Sequence, residues 1–219
     1  LADAGVLPVN VPTGRPSRVN ITVTEPDGTT TKFNDPGQPL RDGVLAEIAA
    51  RLVGRSHPGD WVVLSGSLPP DAPNDWYADL TAELKRAGRR VAVDTSGAPL
   101  LATVRGCSML PDLLKPNAEE LASLTGDDES ALEADPRAAA QAAASLVADG
   151  IGSVLLTLGS AGAALVTAEG SWLATPPPIT LRSTVGAGDA SLAGYLLADL
   201  QGLDGPGRLR EVVGYGAAA

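Results

Sequence analysis

A chain of 219 residues that is 44% hydrophobic and 19% charged describes one folded domain with at most a small appendage, and excludes a disordered or collagen-like polymer. Its 26 acidic against 16 basic residues, a net charge of −10, would repel nucleic-acid phosphates and anionic membranes, so neither is an expected partner and any anionic ligand must be held locally. One cysteine, Cys107, and one histidine, His57, make neither a disulfide nor a zinc set; with no apolar stretch of membrane-spanning length and no secretory leader, a cytoplasmic location is expected.

In chain order, the first signal is Arg18 to Thr24. Val19, Ile21 and Val23 alternate with Arg18, Asn20, Thr22 and Thr24, the period of a half-exposed strand that puts Arg18 and Asn20 on one face. Glu25-Pro26-Asp27-Gly28 is a turn sequence, and Thr29 to Phe33 can return as a second strand. After Asn34-Asp35-Pro36-Gly37 the pattern changes to helical periods alternating with short apolar runs. Val44, Ile48 and Leu52 mark one amphipathic helix, and Trp76, Leu80 and Leu84 another. The runs Trp61–Leu64, Val91–Val93, Asp112–Leu114 and Val154–Leu156 read as strands buried on both faces. Asp135-Pro136 opens a helix that ends at Gly150, and a last helix starts near Gly186. The fold class is therefore α/β: a mainly parallel sheet covered by helices, preceded by a small β appendage. Residues 10–40 form that appendage and its connection, and residues 41–219 the core. Leu1 and the uncapped run Gly216 to Ala219 make both ends read as cut.

Ligands of open parallel sheets bind beyond the carboxyl ends of the strands. Four polar or Gly-rich segments follow the apolar runs: Ser65-Gly66-Ser67-Leu68-Pro69-Pro70, Asp94-Thr95-Ser96-Gly97, Lys115-Pro116-Asn117-Ala118-Glu119-Glu120, and Thr157-Leu158-Gly159-Ser160-Ala161-Gly162. Sharper is Ser183-Thr184-Val185-Gly186-Ala187-Gly188-Asp189. Small residues at 186–188 let an oxyanion approach backbone amides at a helix N-terminus, and Asp189 stands beside them, able to accept a proton from an attacking hydroxyl. The bland alternative is a Gly-rich turn with a dipole-stabilising Asp. Asn117 and Glu120 likewise read either as a capping box or as ligands toward nucleotide phosphates and Mg2+, and one pair can serve both ends. The P-loop, the dinucleotide fingerprint and the Ser nucleophile elbow are absent. His57 reads as a surface turn residue, Cys107 as inert, and Trp61, Trp76 and Trp172 as packing.

With these segments in this order, the sequence resembles the ribokinase-like (PfkB) carbohydrate kinases, and within them the branch of 1-phosphofructokinases and tagatose-6-phosphate kinases. The resemblance implies a three-layer α/β/α core with a small β lid. It also implies transfer of a phosphoryl group from ATP, with Mg2+ and optionally a monovalent cation, to a phosphosugar. Fructose 1-phosphate is the first expectation, with tagatose 6-phosphate or fructose 6-phosphate as alternatives, and a catalytically silent ATP-binding fragment as the reading from another class. It assigns Asp189 as base and Gly186, Ala187 and Gly188 as the anion hole. Lys115, Asn117, Thr157, Gly159, Gly162 and Thr184 fall in the ATP site, Glu120 toward Mg2+, and Arg18, Asn20 and Ser67 on the phosphosugar, with a homodimer formed through the lid. Asp71 stands where the family usually has Gly. The family's early sugar-binding Asp and Gly-Gly-Lys-Gly-type segment would lie before Leu1, and its adenine-walling segment after Ala219.

Overall fold

The computed structural model describes residues 5–24, 30–176 and 185–219. An antiparallel hairpin comes first, β1 (Asn20–Thr24) and β2 (Thr30–Asn34), with Ile21 opposite Phe33. The strand expected from Arg18 starts two residues later, and the return strand runs one residue past Phe33. The turn between them, Glu25 to Thr29, lies outside the described residues. Paired residues of a hairpin point to one face, so Val19, Ile21, Val23 and Phe33 form one apolar face, and it is bare: all four are exposed.

The core follows as α1 (Val44–Arg55), β3 (Trp61–Ser65), α2 (Trp76–Arg86), β4 (Arg90–Asp94), α3 (Gly97–Arg105), β5 (Leu113–Leu114), α4 (Ala118–Thr125), α5 (Glu129–Ala134), α6 (Pro136–Ala148) and β6 (Ser153–Thr157). A 3-10 turn over Gly159–Ala161, β7 (Ala163–Thr167), β8 (Gly170–Ala174), α7 (Ala187–Leu200) and α8 (Gly205–Ala218) complete it. The six strands lie in chain order, β3 to β6 parallel and β6-β7-β8 antiparallel. Because each parallel crossover steps the same way, right-handed connections put α2 to α6 on one face. The β7–β8 hairpin then sends α7 and α8 to the other.

Side-chain alternation builds the two cores. Val91 and Val93, Val154 and Leu156, and Ala164 and Val166 face α2 to α6. Their neighbours Ala92, Leu155 and Leu165 face Leu192, Tyr195, Leu209 and Val212 of α7 and α8. Strands apolar at every position are what such a three-layer sandwich requires. Glycines allow two close approaches of α8: a Cβ on Gly194 of α7 would meet the Glu211 carbonyl at 2.7 Å, and one on Gly205 would meet the Trp172 ring of β8 at 2.5 Å. Gly205→Ala should therefore lower the thermal midpoint by roughly 2 to 10 °C, an overpacking cost of about 1 to 3 kcal/mol, readable by calorimetry.

At the amino end of the strands, Asp199 on the last turn of α7 ties four elements. Its carboxylate accepts from the Trp61 indole N–H (2.9 Å) and pairs with Arg90 and with Arg208 (3.1 Å). Arg90 also stacks over Trp61 and Arg208 over Tyr195. The strand β3 is an edge strand, and a groove of about 820 Å³ runs along it between Val9 to Val11, α1 and Leu200. Among the described residues no helix is long and apolar enough to cross a membrane. His57 is exposed in the turn before β3, and the Cys107 thiol is pushed up by burial and bonded to the Ala78 and Met109 carbonyls, as expected of an inert thiol.

Candidate active site

The carboxyl ends of β3 to β6 deliver Ser65, Asp94, Lys115 and Thr157 to one edge of the sheet. Asp94 and Lys115 come from adjacent strands, and Lys115 Nζ lies 3.0 Å from Asp94 Oδ1 with both side chains largely withdrawn from water, 8% and 15% exposed. Burial pushes the Asp94 carboxyl above the ordinary carboxylate range; Lys115 opposes the shift and the Asp189 charge adds to it. Asp94 and Asp189 are thus close enough to feel each other across the site.

The N-cap of α7 is Gly186, whose φ of 86° is left-handed and which, being glycine, has no side chain to cap the helix. Its first turn holds Ala187, Gly188 and Asp189, so the amides at these positions have no partner within the helix and Asp189 stands exposed beside them. A Cβ on Gly188 would lie 3.4 Å from Lys115 Nζ. The lysine head therefore lies within van der Waals reach of the helix N-terminus at Gly188. A cation and a positive helix end converge on one spot, suited to an oxyanion, with a carboxylate at its rim.

The capping box is present. Asn117 Oδ1 accepts from the Glu120 amide (2.8 Å), and Glu120 Oε2 accepts from the Asn117 amide (2.9 Å). Burial raises the Glu120 carboxyl above its usual range, with Asn117 and Lys115 pulling it down. Asn117 bridges to Thr157, whose amide bonds the Pro116 carbonyl. A recess of about 330 Å³ opens beside them, lined by Ala118, Glu133, Thr157, Leu158, Gly159, Ser160 and Ala161. Gly159 (φ 55°) has open space where a Cβ would be, whereas a Cβ on Gly162 (φ 102°) would strike the Ala174 carbonyl at 2.0 Å. Gly162 therefore has a packing reason of its own, and it does not line the recess.

Arg18 Nη1 donates to Ser67 Oγ at 2.6 Å, which brings together two residues 49 apart in sequence. The Tyr77 hydroxyl donates to the Ser65 and Gly66 carbonyls, and its pKa is raised by burial and by the Asp94 charge while the Arg18 charge lowers it. Asn20 turns its amide oxygen to the Asp35 N–H (3.2 Å), bracing the base of the hairpin. Asp71 takes the Leu40 amide with both oxygens (3.1 and 3.0 Å), a local reason for a carboxylate there. Thr184 lies outside the described residues. Tyr77 and Glu133 belong to the site region but were not selected from sequence, and Asp94 was named there as the head of the Asp94–Gly97 segment without a role of its own. Asp94 had a usable signal: it is a charged residue closing an apolar strand run.

The pfkB family carbohydrate kinase profile matches residues 1–219. The chain is 39% identical over 190 residues to the 1-phosphofructokinase of Rhodobacter capsulatus, covering 86% of this chain and 58% of that protein. It is 40% identical over 187 residues to the 1-phosphofructokinase of Xanthomonas campestris pv. campestris, covering 83% and 57%. The chain thus spans less than two thirds of the length of these curated relatives. The crystal structure of phosphofructokinase-2 from Escherichia coli in complex with fructose-6-phosphate superposes with a TM-score of 0.86 at 29% identity, over 99% of this chain and 69% of that one. Arabidopsis thaliana ribokinase complexed with ribose and ATP superposes at 0.64 with 25% identity, over 93% and 62%. With the three-layer fold and the convergent strand ends, the match over its whole length makes the chain a member of the pfkB family of carbohydrate kinases.

Proposed function

We propose that the intact protein is an ATP-dependent phosphosugar kinase that converts fructose 1-phosphate to fructose 1,6-bisphosphate in the cytoplasm. The observation that carries this reading is the junction of Lys115, the open N-terminus of α7 and Asp189, with the Arg18–Ser67 pair as a candidate phosphosugar contact. Relatives named 1-phosphofructokinase favour fructose 1-phosphate. Fructose 6-phosphate is the second reading, favoured by the superposition on phosphofructokinase-2; tagatose 6-phosphate is a third.

In the proposed reaction Asp189 accepts the proton of the sugar hydroxyl, whose oxygen bonds to the γ-phosphorus as the bond from that phosphorus to the bridging oxygen breaks and ADP leaves in line. The amides of Gly186, Ala187 and Gly188 and the Lys115 ammonium face the charge on the transferring oxygens, the preorganised arrangement that lowers such barriers most. Asn117, Thr157, Gly159, Gly162 and Thr184 complete the nucleotide side, and Arg18, Asn20 and Ser67 hold the phosphosugar. A dedicated metal cage is absent among the described residues. Mg2+ is held through one or two carboxylates plus substrate phosphates, and Glu120, whose Oε2 accepts from the Asn117 amide, would offer such a carboxylate. Mg2+ supplies charge neutralisation on the phosphates when bound.

The direct test is ADP release with Mg-ATP across fructose 1-phosphate, fructose 6-phosphate, tagatose 6-phosphate, fructose and ribose. Strong preference for one phosphosugar is expected, and equal rates on fructose and ribose would overturn the phosphosugar reading. Arg18→Ala should raise KM for the phosphosugar by about 10-fold or more, as expected for loss of a charge-assisted contact, while leaving KM for ATP unchanged.

Glu120→Gln should separate activity from stability. Glutamine keeps the oxygen that accepts the Asn117 N–H and removes a buried charge. Because burial raises the folded-state pKa of Glu120, its contribution to stability is present at low pH and lost as pH rises through that pKa. Above the ordinary carboxylate range the glutamine variant should be at least as stable as the parent by thermal melting, yet need more Mg2+ for half-maximal turnover.

The hairpin, as the lid of residues 10–40, is proposed to form a homodimer through Val19, Ile21, Val23 and Phe33, whose exposure leaves an apolar face in need of cover. Ile21→Asp should shift the protein toward monomer in sedimentation velocity.

A further inference from the structure

We propose that Asp94 is a positioning residue for phosphoryl transfer: its carboxylate holds the Lys115 ammonium against the N-terminus of α7, so that the cation is in place before an anion arrives. This rests on the kinase reading above. The register sets it up, because Val93 lies opposite Leu114, so Asp94 and Lys115 leave adjacent strands side by side, and the Lys115 amide is fixed on the Val93 carbonyl (3.0 Å). A lysine stem this buried needs a partner for its charge. Of the nearby carboxylates, Glu120 is bound through one oxygen to the Asn117 amide and Asp189 stands exposed on α7, whereas Asp94 meets the ammonium at 3.0 Å.

The pairing has a direction. An ammonium has three N–H donors; one goes to Asp94, leaving two for phosphate oxygens on the side of Gly188. Without Asp94 the four-carbon stem could swing toward Glu120 or Asp189, and the cation would no longer be preorganised. The groups facing Asp94 are Lys115 beyond β5, Asp189 on α7, Tyr77 on α2 and, at longer range, Glu120 on α4. Of these, Lys115 is the group through which it can act on a phosphate.

The test is a double-mutant cycle in the intact protein with Asp94→Asn, Lys115→Met and the double variant, reading kcat/KM and Mg-ATP affinity by calorimetry, with thermal melts as a fold control. Asp94→Asn should lose roughly 10- to 100-fold in kcat/KM, the scale of an ~1 Å misplacement, and the loss should fall to about 2-fold or less in the Lys115→Met background, the signature of residues acting as one unit. If Asp94→Asn does not fold, Asp94→Glu, which keeps the charge but displaces the ammonium, should show the same dependence on Lys115. Additive losses, or an Asp94 variant with parental kcat/KM, overturn the inference while the kinase reading stands. A parent protein that neither binds Mg-ATP nor turns over any of the sugars overturns both.

Discussion

Asp189→Asn should lower kcat by about 10² to 10⁴-fold, the usual contribution of a positioned general base, with KM for ATP and the thermal midpoint nearly unchanged. Asparagine has the same shape and still sits in the first turn of α7, but it cannot take a proton. Because Asp189 is exposed and the N-terminal amides of α7 remain, neither folding nor anion binding should suffer much beyond the few tenths of a kcal/mol that an acid contributes near a helix N-terminus. Steady-state kinetics with Mg-ATP and the preferred phosphosugar provide the check. Unaltered kcat would remove Asp189 from the mechanism, and a raised KM for ATP with intact kcat would recast it as a binding residue.

The second large effect concerns stability and lies at the opposite end of the sheet. Asp199→Ala should cost about 2 to 4 kcal/mol, below the ~3 to 5 kcal/mol of a fully buried broken pair because both arginines can turn partly to water. The Asp199 side chain is only 8% exposed, against 36% for Arg90 and 28% for Arg208, and its loss also orphans the Trp61 indole N–H. For a chain of this length that is a drop of roughly 5 to 15 °C in the thermal midpoint. Asp199→Asn, which keeps an acceptor for Trp61, should fall between the two. Scanning calorimetry on the three proteins decides; an alanine variant as stable as the parent would show that the cluster contributes nothing net.

How far the sequence reveals this molecule depends on how local each feature is. The strands β4 to β6 were legible because burial on both faces demands unbroken apolar runs, and α1 and α2 because each shows apolar residues four apart; β3 was found from the same kind of run, but at the end of the sheet it is buried on one face only, with Val63 exposed. The antiparallel pair β7–β8 was not singled out: it follows the Gly-rich 3-10 turn, and its partners are set by Gly162 packing against Ala174. The helix α3 was hidden by Pro99 in its first turn and the β-branched Thr103 and Val104. The helix α8 was hidden by Gly207, Gly214 and Gly216, which weaken helical propensity locally; of the three, Gly216 allows close packing on α7, at Ser191. In the site, Lys115, Asn117, Glu120 and Gly186 to Asp189 were legible because capping and anion binding use short fixed spacings. Asp94 was not, since its meaning depends on a lysine 21 residues away that only strand pairing brings near. The Arg18–Ser67 contact is likewise long-range, yet each residue could be picked from its own segment.

The clasp at Asp199 also governs precision. The helix α7 carries Asp189 in its first turn and Asp199 in its last, ten residues or about 15 Å apart along the axis. It behaves as a rigid arm fixed to β3 and β4 through Trp61 and Arg90 at one end and presenting its carboxylate at the other. An angular slack of about 5° at the fixed end becomes an error of about 1 Å at the working end, enough in a phosphoryl-transfer site to cost about 10²-fold. Loosening the clasp should therefore erode turnover at temperatures where the fold is still intact, so that the tolerance of the chemistry is set at the far end of the sheet.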